Sequence, residues 1–432
     1  MGKRDSIDGR HRFAGVRARS GRDGTGRLVL NGSPQTPASV DYSVLDLADT
    51  TRLALLVTAR AEGDFRQQAL EVLEVMRAVL SERSEPAVVT SLTVFLRDGV
   101  DQRDCELLLA EHYGPGAPVT NFVVQPPCGG AALAIEAWAI SGGAVRLERF
   151  GSQTLVVAYD GMRWVYCGGI APEGGTIHQQ TTRGFRELEG LLREAGSGFE
   201  NVVRTWLYLG GITRPEAGTS RYQEMNRARS DFYGGIQFGR SLRVGQGGHR
   251  GFPASTGIGT GRPGLVMSCM ALETEREDVF LQPLENPQQV SAYEYDRKYS
   301  PHTPKFSRGM ALVVGDYLTT WISGTASIIN SESRHAGNVE AQTEQTIDNI
   351  ERLIAAENFD RHGIHGAGAT LADLAKIRVY LKRPEDFLKC RAICERRFGP
   401  VPAIYVAADV CRSDLLVEIE GVAFSHCNRD ER

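Results

Sequence analysis

Alternating and helical apolar stripes recur along this chain in one fixed order, three times over. The third copy is the clearest. Tyr317 to Ile322 alternates as a strand and runs into Gly324-Thr325-Ala326-Ser327. Val339, Thr343, Ile347, Ile350 and Ile354 fall on one helical stripe, which predicts a helix from about Val339 to Ala356. Ala375 to Leu381 alternates again. A second helix is expected near Asp386 to Phe398, stopped by Gly399-Pro400. An apolar strand around Glu418 closes the copy.

The second copy repeats this order. Trp164 to Gly169 is its first strand and turn, and Phe185, Leu188 and Leu192 share one face of a helix over Gln180 to Ala195. Val203 to Tyr208 is a strand, Tyr222 to Tyr233 a helix, and Leu265 to Ala271 the closing strand. The first copy is more worn. Leu53 to Thr58, Val88 to Leu96 and Ala132 to Trp138 read as strands, and Phe65, Ala69, Val72, Met76 and Leu80 stripe a helix. So long a period marks repeated domains rather than a short solenoid. Amphipathic helices between strands imply an α+β unit, a sheet covered on one face by helices. The expected division is an Arg- and Gly-rich disordered tail over 1–45, then units over 46–150, 151–290 and 291–428.

Composition narrows the function classes. The chain has 432 residues, too many for one ordinary core, with 41% hydrophobic and 24% charged residues, which are globular values. A net charge of −4 gives no general nucleic-acid signal. No apolar run reaches the roughly 18 residues that would span a bilayer. The eight cysteines are scattered, and only Cys390 and Cys394 lie close together, so no zinc site is completed. Reduced thiols in a cytoplasmic protein are the expectation, with no metal and no cofactor.

The closing strand of the third copy carries the most pointed chemistry. Glu418 and Glu420 are two apart and share a face, with Leu416, Val417 and Ile419 around them. Such acids are solvated at an edge, paired, or used. A desolvated carboxyl there has its pKa raised, as a general acid near neutral pH requires.

The order of elements, with the closing segments Leu133-Ala134-Ile135-Glu136-Ala137 and Val417-Glu418-Ile419-Glu420-Gly421, resembles the YjgF/RidA fold. That family forms trimers with ligand clefts between subunits. Three copies in one chain therefore imply three chorismate-mutase-like α/β units in an intramolecular pseudo-trimer, with sites between units and a monomer as the expected state. The second and third copies further resemble chorismatases. The matching stretches are Arg221 to Arg229, Pro253 to Gly259, Tyr299-Ser300-Pro301 with Phe306-Ser307-Arg308, Gly324 to Ile328 with Glu332 to His335, and Asp409 to Glu420. Asn330-Ser331 departs from the Gly-His of the family pattern.

The resemblance implies a small-molecule substrate, chorismate, whose enol ether is protonated by Glu418 so that pyruvate leaves. Glu420 recurs as Glu136 in a unit without the acid, and reads as structural, through a backbone hydrogen bond. Arg229 and Arg391, on corresponding helices, are the candidate carboxylate clamps. Tyr222 and Tyr405 are candidates for hydrogen bonds to substrate oxygens, or else buried structural tyrosines. Gly324 and Cys411 match the branch releasing 3-hydroxybenzoate, Cys411 acting by bulk or as a nucleophile. Arg308 sits in a matching motif without an assigned role, and His335, His302 and His178 carry no stronger case than capping or surface roles. Gly257-Ile258-Gly259-Thr260-Gly261 is assigned to a turn, since no Gly-Lys-Ser/Thr follows.

Three alternatives stay open. One product alternative is the trans-dihydrodiol of cyclohexadiene carboxylate. A second reading is a non-catalytic module binding a small aromatic or keto acid. The third, imine deamination, needs an arginine about fifteen residues before the acid, where this chain has Ala403, and is disfavoured.

Overall fold

The computed structural model describes residues 39–47, 50–81, 85–239, 243–244, 251–295 and 302–427. Residues 1–38, most of the expected tail, lie outside the described residues. The first sheet is built from β1 (Ser39–Leu47), β2 (Thr50–Thr58), β3 (Val88–Leu96), β4 (Val119–Val124) and β5 (Leu133–Ser141), in the order β1-β2-β5-β3-β4. Helices α1 (Phe65–Ser81) and α2 (Gln102–Tyr113) cover one face. The chain enters this sheet at Ser39, inside the segment expected as tail, because Val40, Val44 and Leu45 bury their side chains.

The second sheet takes β6 (Arg146–Phe150), β7 (Thr154–Tyr159), β8 (Met162–Ile170) and β9 (Val202–Gly210). Helix α3 (Ile177–Glu194) starts at a capping box, Thr176 with Gln179. A small hairpin, β10 (Pro215–Glu216) with β11 (Thr219–Ser220), precedes α4 (Arg221–Tyr233), which a second capping box, Ser220 with Gln223, starts. After β12 (Arg243–Val244) come β13 (Ala254–Thr260) and β14 (Leu265–Thr274), giving the order β13-β9-β14-β8-β7-β6. The expected boundary at 150/151 is therefore misplaced: Arg146–Phe150 is already the edge of the second sheet, paired to β7.

The third sheet starts earlier than expected too. β15 (Val279–Leu284) pairs with β16 (Gly309–Val314), not with the second sheet, since Val279, Leu281 and Leu284 are buried in that register. Then follow β17 (Tyr317–Ala326), the hairpin β18 (Ile328–Ile329) with β19 (Glu332–Ser333), α5 (Val339–Ile354), α6 (Ala356–Arg361), β20 (Leu374–Leu381), α7 (Phe387–Phe398), β21 (Ala403–Ala407) and β22 (Val417–His426). The order is β12-β15-β16-β17-β22-β20-β21. The single helix expected to Ala356 is broken at Ala355, whose backbone is extended.

Each sheet thus carries the same four strands side by side: β2-β5-β3-β4, β8-β14-β9-β13 and β17-β22-β20-β21. The outer member, β4, β13 or β21, runs parallel to its neighbour. Helices fill one face of each sheet and form three separate cores. The opposite faces meet each other: Leu45, Trp164 and Trp321 share one inter-sheet core, and Phe95, Tyr208 and Tyr380 another. The Gly257–Gly261 run assigned to a turn is mostly strand β13. Its glycines admit close neighbours, since a Cβ on Gly257 would lie 3.2 Å from the Tyr222 ring and one on Gly259 would lie 2.5 Å from the Asp409 carbonyl oxygen.

Candidate active site

A cavity of about 390 Å³ opens between the second and third sheets. From the second come Tyr222, Gln223 and Arg229 on α4, and Ser255 and Gly257 on β13. From the third come Gly324 and Ala326 on β17, the Cys411–Ser413 loop, and Glu418 on β22. Tyr295, Phe306 and Arg308, from the connection between β15 and β16 of the third sheet, complete the wall.

Glu418 sits mid-sheet, opposite Ala326 on one side and Tyr380 on the other. It is buried, and among the described residues its carboxyl takes no hydrogen bond. Burial, with the charge of Glu420 behind it, raises its pKa from 4.5 to about 8, and Arg308 and Arg204 offset only part of that. Room for the carboxyl comes from the bulge in β17 at Gly324. A Cβ there would stand 2.0 Å from Glu418 Oε1.

Glu420 has the opposite environment. Arg204 donates to Oε2 at 2.7 Å, Trp206 to Oε1 at 3.2 Å, and Arg378 reaches Oε1 at 3.0 Å. Thr256 also donates to it, and accepts the Gly324 N–H at 3.1 Å. Although burial works against ionisation, Arg378 and Arg204 hold Glu420 below the usual carboxylate range. Glu136 is held likewise, to about 2, against burial, by Arg378 and Lys376, whose Nζ lies 2.7 Å from both carboxylate oxygens. The structural role expected of Glu420 and Glu136 thus runs through side-chain ion pairs, not a backbone hydrogen bond.

Of the two expected clamps, the structure brings only Arg229 to the cavity. It is buried, bonds Asn226 and Ser255 without a described carboxylate partner, and lies 5.6 Å from the Phe306 ring. Burial lowers its pKa, a strain that an incoming anion relieves. Arg391 is instead a surface side chain, paired with Glu395 at 2.7 Å. Tyr405 is packed against Phe387 and bordered by Cys394 in the third core. Both miss for one topological reason. The cavity pairs the α4–β13 edge of one unit with the acid of the next, whereas β21 faces the first unit: Tyr405 O accepts Cys128 N–H at 2.8 Å and Ala407 N–H reaches Pro126 O at 2.8 Å.

Two arginines not assigned to binding from the sequence line the cavity instead. Arg308 is buried, bonds the Tyr295 hydroxyl, and lies 5.4 Å from the same Phe306 ring. Arg412 lines the cavity beside it, anchored to Ser331 O at 2.8 Å. Their signal was position, one in the Phe306-Ser307-Arg308 motif and one beside Cys411. Cys411 itself borders Glu418, and burial and that neighbour push its thiol up to about 12, so it is present as the thiol. Asn330, in place of glycine, occupies a left-handed turn (φ 55°) that asparagine tolerates. His178 pairs with Asp231 on the surface, and neither it nor His302 nor His335 lines the cavity.

A family model described as chorismatase FkbO/Hyg5-like, N-terminal, matches residues 136–271. A 3-hydroxybenzoate synthase of Streptomyces hygroscopicus is 35% identical over 295 residues, 66% of this chain and 80% of that protein. The chain belongs to the chorismatase family. A chorismatase of Streptomyces rapamycinicus is 34% identical over 61% of this chain and 78% of its own length. A crystal structure of a chorismatase superposes with a TM-score of 0.63 over 88% of this chain and all of that one, at 24% identity, which supports the shared fold. The chorismatase family model covers α4 and β13, hence Tyr222, Arg229 and Ser255, and ends before the strand that carries Glu418.

Proposed function

We propose that this chain cleaves the enolpyruvyl ether of chorismate, releasing pyruvate and 3-hydroxybenzoate, with Glu418 as general acid. The observation that carries the reading is one carboxyl. Glu418 is buried, takes no hydrogen bond among the described residues, has its pKa raised by burial to about 8, and faces a cavity that also holds Arg229, Arg308 and Arg412. The names of the relatives in the same family support the substrate.

Chorismate presents two carboxylates. Guanidinium groups on two walls can hold both and leave the enol ether against the acid. Glu418 gives its proton to the terminal methylene, which becomes a methyl group, and positive charge develops on the ether carbon. The resulting carboxylate is stabilised by Arg308 and Arg204, the cations that already oppose its high pKa. The ring hydroxyl attacks the oxocarbenium to form a cyclic ketal and gives its proton to the Glu418 carboxylate. The ring bond to that oxygen then breaks, and the neighbouring ring carbon loses its proton to aromatise the ring. The resulting hemiketal collapses with cleavage of the bond to the ether oxygen, which becomes the phenol as pyruvate leaves. Pyruvate and 3-hydroxybenzoate together have the composition of chorismate, so no water is consumed. Capture by water gives the dihydrodiol instead. Cys411, a thiol at the cavity wall, and the side-chain-free Gly324 favour the first course by shaping where the ring can sit. The second and third units of one chain line the cleft, which suits a monomer. Eight free thiols suit a reducing, cytoplasmic setting.

The test is incubation of the purified protein with chorismate, with pyruvate followed by a coupled assay and the aromatic product by chromatography. Equimolar pyruvate and 3-hydroxybenzoate are expected. No pyruvate above the blank refutes cleavage. Pyruvate with the dihydrodiol keeps cleavage and overturns the product assignment.

A further inference from the structure

Where the three sheets converge, a second cavity of about 50 Å³ is walled by side chains of all three. It is separate from the cleft at Glu418 and has no part in the chemistry above. Its charged walls are Arg52 on β2, Glu136 on β5, and Lys376 and Arg378 on β20, all buried. The charges do not balance. Glu136 binds Lys376 and Arg378 together. Glu420, the other carboxylate of this network, is shared between Arg378 and Arg204. Arg52 has no described carboxylate within ion-pair distance; its neighbours are neutral, the Tyr159 and Tyr166 side chains and the Trp138 and Trp164 rings at 5.4 Å. Among the described residues, four buried cations, Arg52, Arg204, Lys376 and Arg378, therefore share two carboxylates. Lys376, although burial brings its amine down to about 8, is still charged at pH 7.

Uncompensated charge in an interior is costly, and water filling the space solvates it without neutralising it. The cavity also holds an unused donor: the Ser268 hydroxyl lines it, is buried, and has no hydrogen-bond partner among the described residues. The remaining wall is largely aromatic, with Trp138, Trp206 and Trp321. We propose that this central cavity binds a small inorganic anion of halide size, held by Arg52, Lys376 and the Ser268 hydroxyl. One water needs about 10–15 Å³ of such space, so the cavity admits a halide or a few waters and excludes an organic acid. The anion would act as a structural counter-ion where the three sheets meet.

The experiment is diffraction at the bromine edge from crystals of the full chain soaked in sodium bromide. It is joined by thermal unfolding in sodium bromide against sodium fluoride at constant ionic strength, for the wild type and Arg52→Gln. One internal anomalous peak bounded by Arg52, Ser268 and Lys376 is expected. A rise in midpoint with bromide that Arg52→Gln lacks should accompany it. Bromide peaks on the outer surface alone, with water in the cavity, overturn the proposal. So does a bromide response that Arg52→Gln retains. Should Arg52→Gln not fold, Ser268→Ala replaces it, and the wild-type diffraction decides by itself.

Discussion

Replacing Glu418 by glutamine should make the protein more stable at neutral pH, by an amount that depends on pH in a calculable way. The carboxyl titrates at 4.5 in an unfolded chain and at about 8 in the folded one. Between those values the folded state retains a proton that the unfolded state has released, so stability falls as pH rises through the window. The size follows from ~1.4 kcal/mol per pKa unit: about 3 kcal/mol at pH 7, about 1 kcal/mol at pH 5, and none below pH ~4. Glutamine keeps the shape and cannot ionise, so Glu418→Gln escapes this cost. Urea unfolding of both proteins at pH 5 and pH 7 measures the difference. A gap that widens by about 2 kcal/mol between the two conditions is expected. A gap that is flat in pH, or a variant that is less stable at pH 7 than at pH 5 relative to the wild type, refutes the claim that the acid is held protonated by burial.

Three other changes separate the roles assigned to neighbouring residues. Gly324→Ala places a methyl group against the Glu418 carboxyl and should lower kcat about 100-fold or more, because misplacement by an ångström costs that much; an unchanged kcat contradicts the packing argument. Arg229→Lys should lower kcat/KM about 10- to 100-fold by losing a planar clamp, whereas Arg391→Ala should leave steady-state kinetics unchanged; the reverse result restores Arg391 to the site. Glu136→Gln leaves Lys376 and Arg378 without their shared carboxylate and should cost about 3–5 kcal/mol in urea unfolding at pH 7; a loss below 1 kcal/mol means that the network carries little stability.

The sequence carried the repeated order of elements because apolar periodicity survives in all three copies, as in the Val339–Ile354 stripe that becomes α5. It missed the parallel outer strands. β13 is built from Ala-Ser-Thr-Gly-Ile-Gly-Thr, whose glycines read as turn residues but serve close approach by Tyr222 and Asp409. Glu418 was legible from comparison of the copies, since only the third has an acid at that place. Arg391 misled by the same comparison. Equivalent helices occupy equivalent places in their own units, but each faces a different neighbour, and the neighbour decides whether an arginine meets the acid. Arg308 and Arg412 lie outside the repeated helices, so no periodicity marked them. The central charge network was invisible for a related reason: Glu136, Tyr208 and Arg378 come from three sheets, and only folding brings them together.

The most direct measurement is the single-turnover rate of pyruvate release from chorismate by wild type and Glu418→Gln, with folding of the variant checked by the unfolding curves above. A loss of about 10²–10⁴-fold is expected, the usual range for removing a general acid, with substrate binding retained. Pyruvate release by Glu418→Gln at the wild-type rate would contradict the assignment of Glu418 as that acid.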